Sequence, residues 1–214
     1  MRRSALVTDF DGTITQRDFY LLLAERFIPS SEPDYLEEYR QGRLTHFEAM
    51  QGYFDYTPEE PAELGRLLLD VSPDPELSSA VRRLEQAGWD LIIVSAGSSW
   101  YIDRILKQAG IEATVHANPG EIVPGRGLVM QLPRESLFFS PEVGIDKSAV
   151  LRDAQARYET VAFAGDGPPD LPPALLTRPD LRFARGWLAD ALREREEFFQ
   201  AFGRWSEVVT RLLH

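Results

Sequence analysis

Two aspartates with a single residue between them, Asp9 and Asp11, close an apolar run in ALVTDFDGTITQRD (residues 5–18), and a glycine follows at once. Further along, Ser95, Ala96 and Gly97 end the apolar run WDLIIVSAG, Lys147 stands in GIDKSAVL, and Asp166 and Asp170 follow TVAFA. Paired carboxylates facing a third suit a small hard cation such as Mg²⁺, which takes one or two carboxylates, keeps waters and accepts a phosphate oxygen. An ammonium and a hydroxyl beside them would hold the other phosphate oxygens. A carboxylate approaching a phosphate monoester is repelled by its charge, so Asp9 can act as nucleophile only where a metal and a lysine neutralise it. A second carboxyl group two residues on, Asp11, can protonate the departing alkoxide and later take a proton from the attacking water.

Such a set functions only if separate segments deliver it to one place, and the hydrophobic pattern supplies the means. SALVTDF, WDLIIVSAG and TVAFAGDG read as short, buried, parallel strands, with TVHAN (114–118) and LRFAR (181–185) as weaker copies. Helical stripes fall between them: Leu77, Val81 and Leu84 after a cap at Asp74, then Ile102, Ile105, Leu106 and Ala109 up to Gly110. Strand, helix, strand is the rhythm of a doubly wound, Rossmann-like parallel sheet of the α/β class, whose ligands bind at the carboxyl ends of the strands. EIVPGRGLVMQL (121–132) interrupts the rhythm and reads as a hairpin. GDGPPDLPPALL reads as a rigid loop before a short helix, and Asp146 as an N-cap.

Residues 16–72 contain helical stripes and no convincing strand, which predicts a small α-helical cap inserted into a core of residues 1–15 and 73–214. Within it, Thr57, Pro58 and Glu60 read as a capping-box start for a helix carrying Leu64, Leu67, Leu68 and Val71. Phe47, Tyr53, Phe54 and Tyr56 are expected to pack the cap's own core, with a substrate wall as the alternative.

Composition narrows the partners. The 214 residues carry a formal charge of −11 and no long Lys/Arg block, which argues against nucleic acid and anionic membranes. The absence of cysteine excludes thiolate zinc sites and cysteine nucleophiles, and His46, His116 and His214 have no metal-site spacing. The apolar stretch after Arg2 and Arg3 is too short for a signal sequence, and no 18-residue apolar run occurs, so a cytoplasmic protein, monomer or homodimer, is expected.

Together DFDGT, the VSAGS serine, the DKS lysine and GDGPPD resemble, in order, the four motifs of the haloacid dehalogenase superfamily of phosphatases. The helical insertion resembles the cap of its phosphoserine-phosphatase-like branch. The resemblance implies an Mg²⁺-dependent phosphatase acting on a small phosphorylated metabolite through an aspartyl-phosphate, with Asp9 as nucleophile and Asp11 as acid/base. Ser95, Ala96, Gly97 and Lys147 would bind phosphate. Asp9, the Asp11 backbone carbonyl and Asp166 would hold the metal, with Asp170 supporting. Ala96-Gly97 replaces a common Gly-Gly, and Pro168-Pro169 is unusual in the fourth motif.

For the substrate, phosphoserine-type caps usually offer a glutamate soon after the first motif and an arginine after a helix start resembling THFEAM. Here Asp18 occupies the first place, making it the candidate specificity residue, and QGYFDYTP has no arginine. The cap layout and LRFARGWLADALRE resemble the methionine-salvage branch, which implies 2-hydroxy-3-keto-5-methylthiopentenyl-1-phosphate. Phosphoserine is the runner-up, gripped by Arg17, Arg40 or Arg43. A phospho-accepting signalling receiver is the rival of another class.

Overall fold

Strand β1 (Ser4–Thr8) carries four fully buried residues in a row, Ala5, Leu6, Val7 and Thr8, because it lies in the middle of a sheet covered on both faces. The computed structural model describes residues 4–214; Arg2 and Arg3, and with them the first residues of the expected core, lie outside the described residues. Helices α1 (Phe19–Arg26), α2 (Tyr35–Arg40), α3 (His46–Phe54), α4 (Pro61–Asp70) and α5 (Leu77–Gln86) precede β2 (Trp89–Ser98). Then come α6 (Ser99–Gln108), β3 (Thr114–Asn118), a hairpin of β4 (Gly120–Val123) and β5 (Gly127–Met130), and a smaller one of β6 (Phe139–Ser140) and β7 (Gly144–Ile145). The chain finishes with α7 (Lys147–Arg157), β8 (Thr160–Gly165), α8 (Leu171–Leu176), β9 (Arg182–Ala184), α9 (Gly186–Glu194), β10 (Gln200–Ala201) and α10 (Trp205–Leu212).

The six-stranded sheet has the order β10-β9-β8-β1-β2-β3, and every pairing is parallel, as the doubly wound reading expected. Alternate residues feed opposite cores. Leu6, Ile93 and Ala162 pack with residues of α5, α6 and α10 on one face, while Val7, Ile92 and Phe163 pack with α7 and α9 on the other. Trp205 is fully buried at the start of α10, and its indole N–H donates to Thr8 Oγ1 at 3.1 Å, pinning that helix beneath the end of β1.

All of α1–α4 falls between β1 and α5. The chain leaves the sheet and returns to it through two segments held side by side: Thr15 bridges Pro73, Gln16 N–H donates to the Ser72 carbonyl at 2.9 Å, and Arg17 N–H to the Val71 carbonyl at 3.2 Å. Phe19, Leu22, Leu23, Tyr53, Phe54 and Leu67 bury the shared face of these helices.

Two helix starts differ from the sequence reading. The helix expected to begin at Thr57 begins at Pro61, where Glu60 accepts from Glu63 N–H and proline takes the first helical position; the complete capping box is Thr45 with Glu48 instead. Asp74 lies two residues before the N-cap of α5, because one carboxylate oxygen accepts from Glu76 N–H (2.8 Å) and the other is drawn off to Ser206 N–H (2.8 Å) at α10. Asp146 caps α7 as expected, accepting from Ser148 and Ala149. The two-residue strands β6, β7 and β10 are too short to show a period. Among the described residues no helix is long and apolar enough to cross a membrane.

Phe163 is wholly buried in β8, next to the central strand. Phe163→Ala is expected to lower the unfolding free energy by about 3–5 kcal/mol through lost transfer energy and cavity formation. Urea denaturation measures it, and a loss below ~1 kcal/mol would contradict this packing.

Candidate active site

Each strand's carboxyl end opens on the same edge of the sheet, and the sequence-expected residues meet there. Asp9 is the first residue past β1, tied to β8 by its N–H donating to the Ala164 carbonyl at 2.9 Å. Asp166 is the first residue past β8, and Lys147 opens α7. Lys147 Nζ donates to Asp9 Oδ1 at 2.6 Å and to Asp170 Oδ1 at 2.7 Å, and the three side chains are 9% exposed or less. Asp170 Oδ2 in turn accepts from Asp166 N–H and Gly167 N–H, both at 3.0 Å, so the Pro168-Pro169 loop closes around this one carboxylate.

Thr13 was not singled out in the sequence, yet its buried hydroxyl donates to Asp166 Oδ1 at 2.6 Å. It reaches there because the Phe10 carbonyl gathers the N–H groups of Thr13, Ile14 and Thr15 into a tight turn. Gly12 makes that turn feasible: its φ is +68°, and a Cβ at this position would collide with the Asp166 carboxylate. The Gly-Thr pair of DFDGT is the signal that could have pointed to this support.

Oxygen atoms of Asp9, Asp166 and Asp170 lie within 4.8 Å of one another. Three carboxylates around one ammonium leave excess negative charge in a buried place. Burial, then the Asp170 charge, pushes Asp9 well above the usual carboxylate range despite Lys147, and Asp166 is pushed up to about 6 for the same two reasons. Burial alone would lower Lys147, but Asp170 and Asp9 outweigh it and hold the ammonium charged. The all-oxygen donor set and its surplus charge fit a hard divalent cation.

The Asp11 carboxylate points elsewhere. Its Oδ1 accepts from Phe19 N–H at 3.1 Å, the first residue of α1, and its Oδ2 from the Tyr101 hydroxyl at 2.5 Å. Burial raises this carboxyl group, opposed by the Tyr101 and Phe19 hydrogen bonds. Ser95, Ala96 and Gly97 occupy a bulge in β2: Val94 pairs with His116 and Ser98 with Asn118, so three residues oppose Ala117 alone. Ser95 Oγ accepts from Gly97 N–H at 2.9 Å and lies 3.5 Å from Asp11 Oδ2. Asn118, a buried residue with no chemical motif around it, holds the bulge by donating to the Ala96 carbonyl at 2.8 Å and the Val143 carbonyl at 3.1 Å.

A cavity of about 530 Å³ stands over these groups. The helical segment contributes Asp18, Tyr39, Arg40, His46, Met50 and Phe54 to its wall, and Trp187 of α9 lies at its rim. Burial and the charges of Asp11 and Asp166 push Asp18 up to about 7. His46, unassigned by sequence, is pushed down to about 4 by burial and then by Lys147, so a neutral imidazole faces the cavity, packed edge-on against Tyr39. Of the three arginines considered for a carboxylate grip, Arg17 pairs with Glu25, Arg43 with Glu38 and Arg40 with Glu37, and Arg40 alone of them lines the cavity. Tyr53 and Phe54 are buried in the core with Phe47 against them, while Tyr56 is half-buried. His116 packs on Phe138 and His214 is exposed.

A parallel, doubly wound sheet with a carboxylate–lysine cluster at its carboxyl edge defines an α/β enzyme that handles a small ligand. A family profile described as haloacid dehalogenase-like hydrolase matches residues 6–175. The chain belongs to that family. One curated relative, the 2-hydroxy-3-keto-5-methylthiopentenyl-1-phosphate phosphatase of Microcystis aeruginosa, is 24% identical over 206 residues, which cover 96% of this chain and 95% of the relative. The protein of the same name from Brevibacillus brevis is 21% identical over 212 residues, 97% of this chain and 94% of the relative. A solved substrate-bound phosphoserine phosphatase has the same fold, with a TM-score of 0.67 at 14% identity over 98% of each chain. The enzyme class expected from the sequence, a phosphatase of this family, agrees with these likenesses.

Asp170 satisfies two buried backbone donors as well as Lys147. Asp170→Ala relieves repulsion on Asp9 and Asp166, but orphaning those donors outweighs it. The expected result is a loss of roughly 2–4 kcal/mol in unfolding free energy without divalent cations. Chemical denaturation of the purified variant reads this, and unchanged stability would show that the loop does not depend on Asp170.

Proposed function

We propose that this hydrolase is an Mg²⁺-dependent phosphatase that cleaves a small-metabolite phosphate monoester through an aspartyl-phosphate on Asp9, in the cytoplasm as a monomer or homodimer. The observation that carries the reading is the buried Lys147 bridging Asp9 and Asp170 beside Asp166 at the floor of the cavity. Residues 16–72 act as the cap over a core of 1–15 and 73–214.

Asp9, Asp166 and the Asp11 backbone carbonyl would hold Mg²⁺, with Asp170 in support. When bound, the ion supplies positive charge against the phosphate oxygens and the nucleophilic carboxylate. Lys147, the Ser95 hydroxyl and the Ala96-Gly97 backbone bind the remaining phosphate oxygens. An Asp9 oxygen forms a bond to phosphorus as the ester P–O bond breaks, and Asp11 delivers its proton to the leaving oxygen. Water then attacks phosphorus, Asp11 recovers a proton from it, and the aspartyl P–O bond breaks to release phosphate. Because Asp11 is a second carboxyl group dedicated to proton transfer, turnover rather than a lasting phospho-state follows, which separates this reading from a signalling receiver.

The substrate is 2-hydroxy-3-keto-5-methylthiopentenyl-1-phosphate or a close relative. The names of the full-length relatives support this, as does a wall with Met50, Phe54 and Tyr39 suited to an apolar thioether end, with Asp18 as the specificity residue. Phosphoserine is the second reading, and Arg40 in the cavity is the observation that favours it.

Asp9→Asn is expected to abolish phosphate release in Mg²⁺, and Asp166→Asn to reduce it by a factor of about a thousand or more, both with the fold intact. Near-normal turnover by Asp9→Asn would sink the mechanism. For the substrate, kcat/KM is expected to favour the methylthiopentenyl phosphate over phosphoserine by about tenfold or more. The reverse preference would move the assignment to phosphoserine and leave the mechanism standing.

A further inference from the structure

Tyr101 belongs to none of the four motifs, and its position on α6 explains it as core: 1% exposed, stacked on Phe19 at 4.3 Å between ring centres, and edge-on to Phe54 at 6.0 Å. A phenylalanine would do that packing as well. The hydroxyl is what needs an explanation, since burying a phenol is unfavourable unless it is hydrogen-bonded. It reaches Asp11 Oδ2 at 2.5 Å across the β2 bulge, and the space it occupies exists because residue 97 is glycine. A Cβ on Gly97 would overlap the hydroxyl and come within 3.2 Å of the same Asp11 oxygen. So three segments, the turn after β1, the bulge of β2 and the first turns of α6, are shaped around one hydrogen bond.

We propose that Tyr101 is a positioning residue for proton transfer: its hydroxyl fixes the Asp11 carboxyl group in the orientation from which Asp11 serves the leaving-group oxygen. Phe19 N–H holds Oδ1, Tyr101 holds one side of Oδ2, and the Ser95 hydroxyl lies 3.5 Å from Oδ2 on the side of the proposed phosphate site. The hydroxyl is the donor in this contact and the Asp11 oxygen the acceptor. With the hydroxyl removed, the carboxyl group would keep only the Phe19 N–H and the long 3.5 Å contact to Ser95. The inference rests on the acid/base role given to Asp11 above.

The test uses leaving groups, because a poor one needs the proton from Asp11 and a good one does not. The parent enzyme, Tyr101→Phe, Asp11→Asn and the double variant are compared by kcat/KM in Mg²⁺ on phosphoserine, which leaves as an alkoxide, and on p-nitrophenyl phosphate. Tyr101→Phe is expected to lose about tenfold or more on phosphoserine and no more than about twofold on p-nitrophenyl phosphate. In the Asp11→Asn background it should cost nothing further. Equal losses on both substrates would reduce Tyr101 to a packing residue, and full activity on phosphoserine would overturn the inference outright. If Asp11→Asn itself left phosphoserine hydrolysis unchanged, the acid/base assignment would fail first and this inference with it, whereas a slowed Asp11→Asn beside an unaffected Tyr101→Phe overturns the inference alone.

Discussion

Lys147 holds carboxylates from two different loops with one buried ammonium, and the rest of the site is arranged around that contact. At an effective dielectric near 20, two unit charges about 4 Å apart interact by roughly 4 kcal/mol. Asp9, Asp166 and Asp170, with oxygens within 4.8 Å of one another, therefore repel one another by energies of the same order as the attraction of Lys147 for Asp9 and Asp170. A single ammonium cannot offset three carboxylates, which is why burial and repulsion drive Asp9 and Asp166 upward while Lys147 stays charged. The molecule tolerates the imbalance by spending its polar groups on it. Asp170 takes two backbone N–H groups as well as the ammonium, and Asp166 takes the Thr13 hydroxyl. Both carboxylates are oriented before any ligand arrives.

That orientation depends on the order of strands. β1 lies between β8 and β2, so the first residue after it, Asp9, has the loop of Asp166 and Asp170 on one side and the Ser95–Gly97 bulge on the other. Parallel pairing puts all three loops on one edge; an antiparallel neighbour would have sent its loop to the opposite edge. The bulge matters as much as the order. Without the residues it adds to β2, Ser95 would follow the pleat, and Asn118 would not reach the Ala96 carbonyl.

Most of this frame is legible in the sequence because buried parallel strands are continuous apolar runs. β1, β2 and β8 announce themselves in that way, each leading into polar residues that meet at one edge of the sheet. β10 does not, since two residues carry no period and its place at the sheet edge comes from pairing with Phe183 and Ala184. Thr57 and Glu60 have the spacing of a capping box, but Pro61 and the Glu60 side chain offer a better start four residues on, and α4 begins there. The places of Tyr101 and His46 beside the site are not legible in the sequence for another reason. Each looks like part of a helix in one dimension, and its chemical neighbour, Asp11 for one and the Lys147 cluster for the other, is contributed by a distant segment.

The helical segment reaches the Asp11 carboxyl group through its own backbone. Phe19 opens α1, its N–H holds Asp11 Oδ1, and its ring stacks on Tyr101, which holds Oδ2. Both restraints on Asp11 therefore pass through one residue of that segment, by amide and by ring. Asp18 precedes it directly and faces the cavity, with Asp11 itself among the charges that raise it. A ligand group that engages Asp18 acts one residue from the amide that orients Asp11. The cavity wall at Asp18 and the orientation of the Asp11 carboxyl group are in this way joined by a single peptide bond, close enough that a change in one is expected to be felt in the other.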